Sequence, residues 1–396
     1  MKTNILFHIG SLKAGGAEKS LVSLLNVLPK DLYDIDLLVY EKKGLFYSLL
    51  PKEVNVIEMP MPLKCLYVSP KDIKFYANYS PWVFMRKVWG TLKAKVDRKS
   101  YAIEQTLWNV WKDEVPVFNK KYDVAVSYLE GFTNYYVIDK IQATKKFLWI
   151  HSEYGKLHYN REYDLNFFSK ATAVVTISEL CKQNLEQNFP QLKNHFQVLE
   201  NISDPHLIRK MAKDPIESDV FSGAKTLKLV SVGRLSQPKN YKLTIDSALI
   251  LKKKRIDFEW IVIGEGPLRN ELESYRDSKE LQNEIKFIGL RANPYAYMDK
   301  ADIFVQSSLF EGKSIAIDEA KILCKPTVCT NYESVFDTIE HGITGIITEM
   351  TPESLAAGIC QLAMDKDLRN LIVDNLVKRN FDNLKEVSSY ISLFSI

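Results

Sequence analysis

Ile5-Leu6-Phe7-His8-Ile9 stands at the start of the chain, and Gly10 to Gly16 follow it directly. The five residues read as a buried strand and the glycine-rich stretch as a loop. Leu21, Leu24, Leu25 and Leu28 then recur at helical spacing up to Pro29, and Ile35-Asp36-Leu37-Leu38-Val39-Tyr40 reads as a second strand. Strand, glycine loop, helix and strand in that order predict a parallel sheet with right-handed crossovers. Further strands are expected at residues 54–57, 124–127, 146–150 and 173–177. The same pattern restarts at Leu227-Lys228-Leu229-Val230-Ser231-Val232, followed by Gly233-Arg234, and continues through residues 260–263, 286–288, 303–305, 326–329 and 345–347. The expected fold is α/β, with two doubly wound Rossmann-like domains joined near residues 205–224, where Asp204-Pro205 and Asp214-Pro215 interrupt the pattern. Ligands of such sheets bind outside the carboxyl ends of the strands, which for two domains points to the cleft between them.

At 396 residues the chain has room for two domains, and its net charge of +4 gives no global reason to expect nucleic acid. Five cysteines (Cys65, Cys181, Cys324, Cys329 and Cys360) show no CxxC or metal-ligand spacing, so reduced thiols in a cytosolic protein are expected. The first ten residues lack the pattern of a secretion signal, and no run of about 18 apolar residues offers a transmembrane helix.

Chemistry-bearing residues fall just after predicted strands. Glu311-Gly312-Lys313-Ser314-Ile315-Ala316-Ile317-Asp318-Glu319 follows the strand-like run 301–305 and places two carboxylates about a helix start. Backbone N–H groups there attract phosphate, and helical side chains lean back toward that end. One helix end would thus hold a diphosphate, with one carboxylate near a sugar and the other near a ribose diol. Gly233-Arg234-Leu235-Ser236-Gln237-Pro238-Lys239 places two fixed cations where they can neutralise a departing diphosphate without a metal. Gly10 to Gly16 is a second candidate phosphate cradle, in which Gly15 and Gly16 permit close approach and unusual φ angles. It lacks the GxxxxGK[ST] pattern of a P-loop. Gly264-Glu265-Gly266-Pro267-Leu268-Arg269 has Arg269 in place of a third glycine and reads as a βα turn rather than a dinucleotide site. His151, at a strand end, is placed to hydrogen-bond a sugar hydroxyl or a neighbouring carbonyl. Asn201 reads as structural. Asp34-Ile35-Asp36 matches a metal-binding D-x-D by letter only, because it opens a strand, so no metal is expected.

Residues 64–121 differ from the rest. They hold Trp82, Trp89, Trp108 and Trp111, with twelve Lys/Arg against five Asp/Glu, a local balance of 12 − 5 = +7. Aromatic and basic residues together suit the interface of an anionic membrane, and a helical pair packed on the domain with its bases in water is the other reading. Nucleic-acid binding is not expected, because no recognition motif accompanies the bases.

Taken together, the residues resemble a family 4 glycosyltransferase of the GT-B fold. Glu311 and Glu319 match that family's E-x7-E signature, Arg234 and Lys239 its basic βα turn, and residues 264–268 and 342–345 two of its usual turns. The resemblance covers nearly the whole chain and is weakest over residues 60–122. It implies an acceptor-binding domain over 1–205, a nucleotide-sugar-binding domain over 206–375, and a C-terminal helix, 376–396, that returns to the first domain. It also implies retaining transfer from a UDP- or GDP-sugar to a saccharide or lipid-linked acceptor, with no cofactor. Glu311 and His151 would meet the donor sugar, Glu319 the ribose, and the backbone of Lys313, Ser314 and Ile315 the sugar or diphosphate. Arg234 and Lys239 would stabilise the leaving diphosphate, approached by Gly15 and Gly16. The expected place of action is the cytoplasmic face of a membrane that builds surface polysaccharide or glycolipid. A nucleotide-sugar 2-epimerase would need more acids and histidines at strand ends. A catalytically silent partner subunit would be expected to lack some of these matched residues.

Overall fold

The computed structural model describes residues 2–13, 15–72, 75–76, 81–97, 102–217, 220–221, 226–382 and 384–395. The chain divides into two compact units, one formed by Met1–Ile202 with Lys385–Ile396 and the other by Ser203–Leu384.

The first unit is built on seven parallel strands: β1 (Thr3–His8), β2 (Tyr33–Val39), β3 (Asn55–Glu58), β4 (Lys121–Ser127), β5 (Gln142–Ile150), β6 (Ala173–Thr176) and β7 (Phe196–Val198). Their order is β3-β2-β1-β4-β5-β6-β7. Ile5 of β1 pairs with Ile35 on one side and Val124 on the other, so β1 is central. Its unbroken apolar run reflects burial on both faces, the usual condition of a parallel sheet. The helix Gly16–Val27 turns Leu21, Val22, Leu24 and Leu25 into the core. Strand β7 was not expected from the sequence; three residues with one buried, Phe196, are too few for a periodic signal. The chain returns to this unit at its end. In the helix Val387–Phe394, Phe394 meets the ring of Phe7 edge-on at 5.8 Å, and the Tyr390 hydroxyl donates to the Glu200 carbonyl at 2.9 Å.

The second unit holds six parallel strands: β8 (Leu227–Val232), β9 (Phe258–Ile263), β10 (Ile285–Gly289), β11 (Ile303–Gln306), β12 (Thr327–Thr330) and β13 (Ile346–Thr348), in the order β10-β9-β8-β11-β12-β13. Neighbouring residues of one strand face opposite cores. Leu229, Val262 and Val305 pack under the helices Tyr241–Lys253 and Pro352–Met364, whereas Val230, Ile261 and Phe304 pack under Pro205–Met211 and Ile315–Ile322.

Two expectations change. Asp204-Pro205 does not mark a linker: the Asp204 carboxylate accepts from the backbone N–H of His206 and Leu207, and Pro205 is the first residue of a helix. Proline suits that position because the first N–H of a helix has no intrahelical acceptor. The helix Lys366–Arg379 stays with the second unit, and the returning segment begins at Lys385. The acids of the D-x-D triplet are engaged by protein groups. Asp36 accepts from Lys120, Tyr122 and Asn55, which hold its carboxyl below the usual range against the opposing effect of burial, while Asp34 pairs with Lys2.

Candidate active site

In each sheet the strand order reverses once, between β1 and β4 in the first and between β8 and β11 in the second. The carboxyl ends of the strands at such a reversal leave a crevice that neither flanking connection fills. In the second unit Gly233 to Lys239 follow β8, and Ser308 to Glu311 follow β11.

Sequence separation hides how closely these loops meet. The Lys239 ammonium lies 2.5 Å from Oε1 of Glu311. That oxygen also accepts from the Ser308 hydroxyl at 2.6 Å and from the Gln306 amide at 3.3 Å. Among the described residues Oε2 has no recorded partner. Both side chains are mostly buried, with Lys239 20% and Glu311 15% exposed. The backbone around them is braced as well. Ser334 Oγ donates to the Glu311 carbonyl at 2.8 Å, and Ser307 Oγ to the Lys239 carbonyl at 2.9 Å. A carboxylate oxygen that receives three donors is a poor nucleophile, because its lone pairs are already engaged. The other oxygen can accept a ligand's hydroxyl.

Glu311 precedes the helix Ile315–Ile322, capped by Ser314, whose hydroxyl accepts from the Ile317 N–H at 3.4 Å and donates to Gln306 at 2.7 Å. The Ser314 side chain is thereby committed to capping this helix. Glu319, in the second turn of the helix, is 2% exposed and accepts from the Tyr295 hydroxyl at 2.9 Å. Burial first, and then the Glu319 charge, raise the Tyr295 phenol well above its usual pKa, so it remains the donor.

Two glycines let the basic loop take its path. A Cβ on Gly264 would lie 1.9 Å from the Gly233 carbonyl oxygen, and one on Gly266 would lie 2.2 Å from that of Leu235. Gly264 also has φ +153°, inside the region that favours glycine. Residues 264–268 are therefore a βα turn packed against the Arg234 loop. Arg269 closes that turn by binding Glu265, Glu273 and the Phe287 carbonyl. The Arg234 side chain is exposed and makes no recorded interaction among the described residues.

The first unit presents its own set of strand-end residues. His151 follows β5; its Nε2 lies 3.1 Å from the Tyr128 carbonyl oxygen and its backbone N–H donates to Glu130 at 3.0 Å. A carbonyl only accepts, so Nε2 carries the proton and Nδ1 is left as an acceptor. Burial lowers the imidazole pKa against the opposing Glu130 charge, which keeps the ring neutral. At Gly15 the backbone is extended, with φ 170°, so no unusual angle requires a glycine there. A Cβ there would lie 2.0 Å from Oε2 of Glu18, the movable end of a flexible side chain. Gly16 opens the helix that carries Glu18. Asn201 accepts from Ser20 at 2.9 Å, and Ser20 shares a hydrogen bond with the Tyr128 hydroxyl, which fits the structural reading.

The structure thus brings Lys239 and Glu311 together, with Ser314 one residue pair beyond, and places Arg234 on the same loop as Lys239. Sequence reasoning missed Gln306, Ser308, Tyr295 and Glu130. Ser308 and Glu130 do sit just beyond strand ends, which was a usable signal; Tyr295 lies in a helix and gave none. Among the described residues no group of three or more His, Cys, Asp or Glu could hold a metal ion.

Residues 213–379 match the family Glycosyl transferases group 1. An uncharacterized glycosyltransferase of Methanocaldococcus jannaschii, MJ1059, is 26% identical over 166 residues, which are 42% of this chain and 41% of that protein. A Campylobacter jejuni enzyme, N-acetylgalactosamine-N,N'-diacetylbacillosaminyl-diphospho-undecaprenol 4-alpha-N-acetylgalactosaminyltransferase, is 28% identical over 221 residues, 54% of this chain and 55% of that one. The chain spans about half the length of these relatives. Among solved structures, HepE of Anabaena in complex with UDP and glucose superposes with a TM-score of 0.69 over 98% of both chains, at 19% identity. WaaG, a glycosyltransferase involved in lipopolysaccharide biosynthesis, superposes with a TM-score of 0.61 over 99% of both chains, at 14% identity.

The fold is GT-B. The segment that matches the family covers Arg234, Lys239, Glu311 and Glu319, so each of the second unit's candidate residues falls inside it.

Proposed function

We propose that the protein is a retaining glycosyltransferase of the family 4 type. It would move a sugar from a nucleotide-diphosphate donor, a UDP-sugar before a GDP-sugar, to a saccharide or lipid-linked saccharide in surface polysaccharide or glycolipid synthesis. The observation that carries this reading is the state of Glu311. One of its oxygens is held by Lys239, Ser308 and Gln306, and the other has no hydrogen-bond partner among the described residues, just before a helix N-terminus beside the strand-order reversal. Such a group orients a sugar through its hydroxyls, while the helix N-terminus and the cations of Arg234 and Lys239 attract the diphosphate.

In the proposed reaction the bond from the anomeric carbon to the diphosphate breaks, and the electron pair leaves with the phosphate oxygen. The acceptor hydroxyl bonds to the same face of that carbon and passes its proton to the leaving phosphate. Arg234 and Lys239 offset the charge that develops, which supports a reaction without metal or cofactor. Glu319 would receive the ribose hydroxyls. His151, with Nδ1 as acceptor, would accept a hydrogen bond from a hydroxyl of the donor sugar, and Gly15 and Gly16 would approach the diphosphate. The UDP complexes of HepE, and the undecaprenol-linked acceptor in the name of the C. jejuni relative, support the donor and the acceptor class. Peripheral attachment at the cytoplasmic face of the membrane completes the reading. Among the described residues no helix is long and apolar enough to cross a membrane.

Turnover of a panel of UDP- and GDP-sugars, with proton NMR of the product's anomeric centre, tests the reading. It predicts an α-linked product from an α-linked donor. A β-linked product would overturn retention, and no turnover of any donor by folded protein would overturn the activity.

A further inference from the structure

The helix Pro81–Asp97 carries apolar residues on both of its faces. Its buried residues are Val83, Lys87, Gly90 and Ala94. Lys87 donates to the Leu66 carbonyl at 3.0 Å, and Gly90 lets the helix approach Leu107 and Val110 of the helix Ile103–Trp111. Phe84 packs inward against Tyr76, but five further bulky apolar residues point outward: Trp82, Met85, Trp89, Leu92 and Val96 are each between 55% and 80% exposed. At about 100° per residue they form one stripe roughly 80° wide along the whole helix. Exposed apolar patches of this kind mark interaction sites.

The spacing of the stripe would also suit a coiled-coil seam with a second copy, but the charges beside it argue against that. Lys93 lies about 20° to one side of the stripe and Lys95 about 60° to the other. Neither forms an ion pair among the described residues, and the Lys93 ammonium sits 5.5 Å from the centre of the Trp89 ring. Arg86, farther round, is paired with Glu114. Two copies joined along the stripe would bring unpaired lysines together, whereas a seam between helices is flanked by opposite charges. An anionic lipid surface supplies the complementary charge and takes up indole rings at the headgroup level.

We propose that the stripe Trp82, Met85, Trp89, Leu92 and Val96, flanked by Lys93 and Lys95, lies in the headgroup region of an anionic membrane with its helix parallel to the surface. This deepens the peripheral-attachment part of the preceding reading, and rests on it, by assigning the contact to one face of one helix. The helix Ile103–Trp111 takes no part, because Trp108 and Trp111 belong to the core.

Intrinsic fluorescence reads this face selectively. Of the six tryptophans, Trp108, Trp111, Trp149 and Trp260 are at most 1% exposed, so acrylamide reaches Trp82 and Trp89. The full chain is mixed with vesicles of phosphatidylcholine alone, or of phosphatidylcholine with phosphatidylglycerol, and followed by sedimentation and fluorescence. The expected result is binding to the anionic vesicles only, a blue shift, protection from acrylamide, and quenching by brominated lipid. Trp82→Ser with Trp89→Ser should abolish binding, and Lys93→Gln and Lys95→Gln should each weaken it about five-fold. All these variants should keep the circular dichroism and the UDP binding of the parent. No binding to anionic vesicles at low salt overturns the proposal. So does a lipid-free dimer, seen by light scattering, in which the two tryptophans are already protected. UDP binding is measured on the same samples, so loss of the donor reading and loss of the membrane face are separate results.

Discussion

The loops after β8 and β11 and the helical layer between β3 and β4 make opposite use of similar residues. In the loops, polar groups distant in sequence converge: Lys239 and Glu311, 72 positions apart, sit 2.5 Å from one another. In the helical layer, residues of one type diverge: Trp108 is fully buried and donates to Asp139 at 2.9 Å, whereas Trp89 is 55% exposed. The first region is specified by strand ends and the second by which helix face meets the core. Residue type and position therefore anticipate placement better in the loops than in the helices.

The largest effects should separate those two tryptophans. Trp108→Ala empties a packed site and removes the hydrogen bond to Asp139, and should lower stability by about 3–5 kcal/mol in urea unfolding. Trp89→Ser should leave the unfolding midpoint nearly unchanged, within about 0.5 kcal/mol. Equal losses would mean that the helix Pro81–Asp97 packs more closely than described. In the loops, Glu311→Ala removes the partner of Lys239 and the sugar-facing oxygen together. Transfer should fall by about 10²–10³-fold with the melting temperature little altered, as for loss of one fixed group in a preorganised site.

A third effect belongs to the first unit alone. His8 is fully buried, with Nδ1 3.1 Å from the Leu38 carbonyl and no partner for Nε2. Burial pushes its pKa down to about 4, against the raising effect of that carbonyl. The folded state thus binds fewer protons than the unfolded state between about pH 4 and pH 6.5. The stability from neutral His8 is fully present above pH 6.5 and is lost as pH falls toward 4, by about 3 kcal/mol in all. The lowered pKa of His151 acts in the same direction. Urea unfolding of wild type and His8→Gln across this range should show a shallower acid loss in the variant; parallel curves would refute it.

The smallest effect concerns Glu319. Replacement by Ala should weaken UDP binding by about ten-fold, roughly 1.4 kcal/mol, and not abolish it, because the diphosphate contacts remain. Tyr295→Phe should weaken it less, since it removes the hydroxyl beside Glu319 and leaves the carboxylate.

Much of this architecture was legible in the chain. Both sheets announced themselves through apolar runs ending at Gly10, Gly233 and Gly264, because buried parallel strands need continuous apolar sequence and tight turns need glycine. Glu311, Glu319, Arg234 and Lys239 were legible for the same reason: each is fixed by a nearby strand end or helix start. Gln306, Ser308 and Tyr295 were not singled out: Gln306 and Ser308 hold Glu311 from the strand end just before it, where their side chains are ordinary polar types, and Tyr295 reaches Glu319 from a separate helix that no local period links to it. Residues 81–97 fall within the stretch that reads either as a membrane interface or as a packed helix with its bases in water; the burial of Lys87 and Gly90 beside the exposure of Trp82 and Trp89 depends on which helix face meets the core, which residue type does not encode. The unusual φ angle expected at Gly15 is not observed, because the backbone there is extended at φ 170°.

Calorimetric titration of the full chain with UDP, repeated with Lys239→Ala and Glu319→Ala, tests the central claim that the second unit holds a nucleotide-sugar diphosphate. The account predicts one site for UDP, weakened by both substitutions. Folded protein that binds neither UDP nor GDP, or that binds UDP equally well in all three forms, would contradict it.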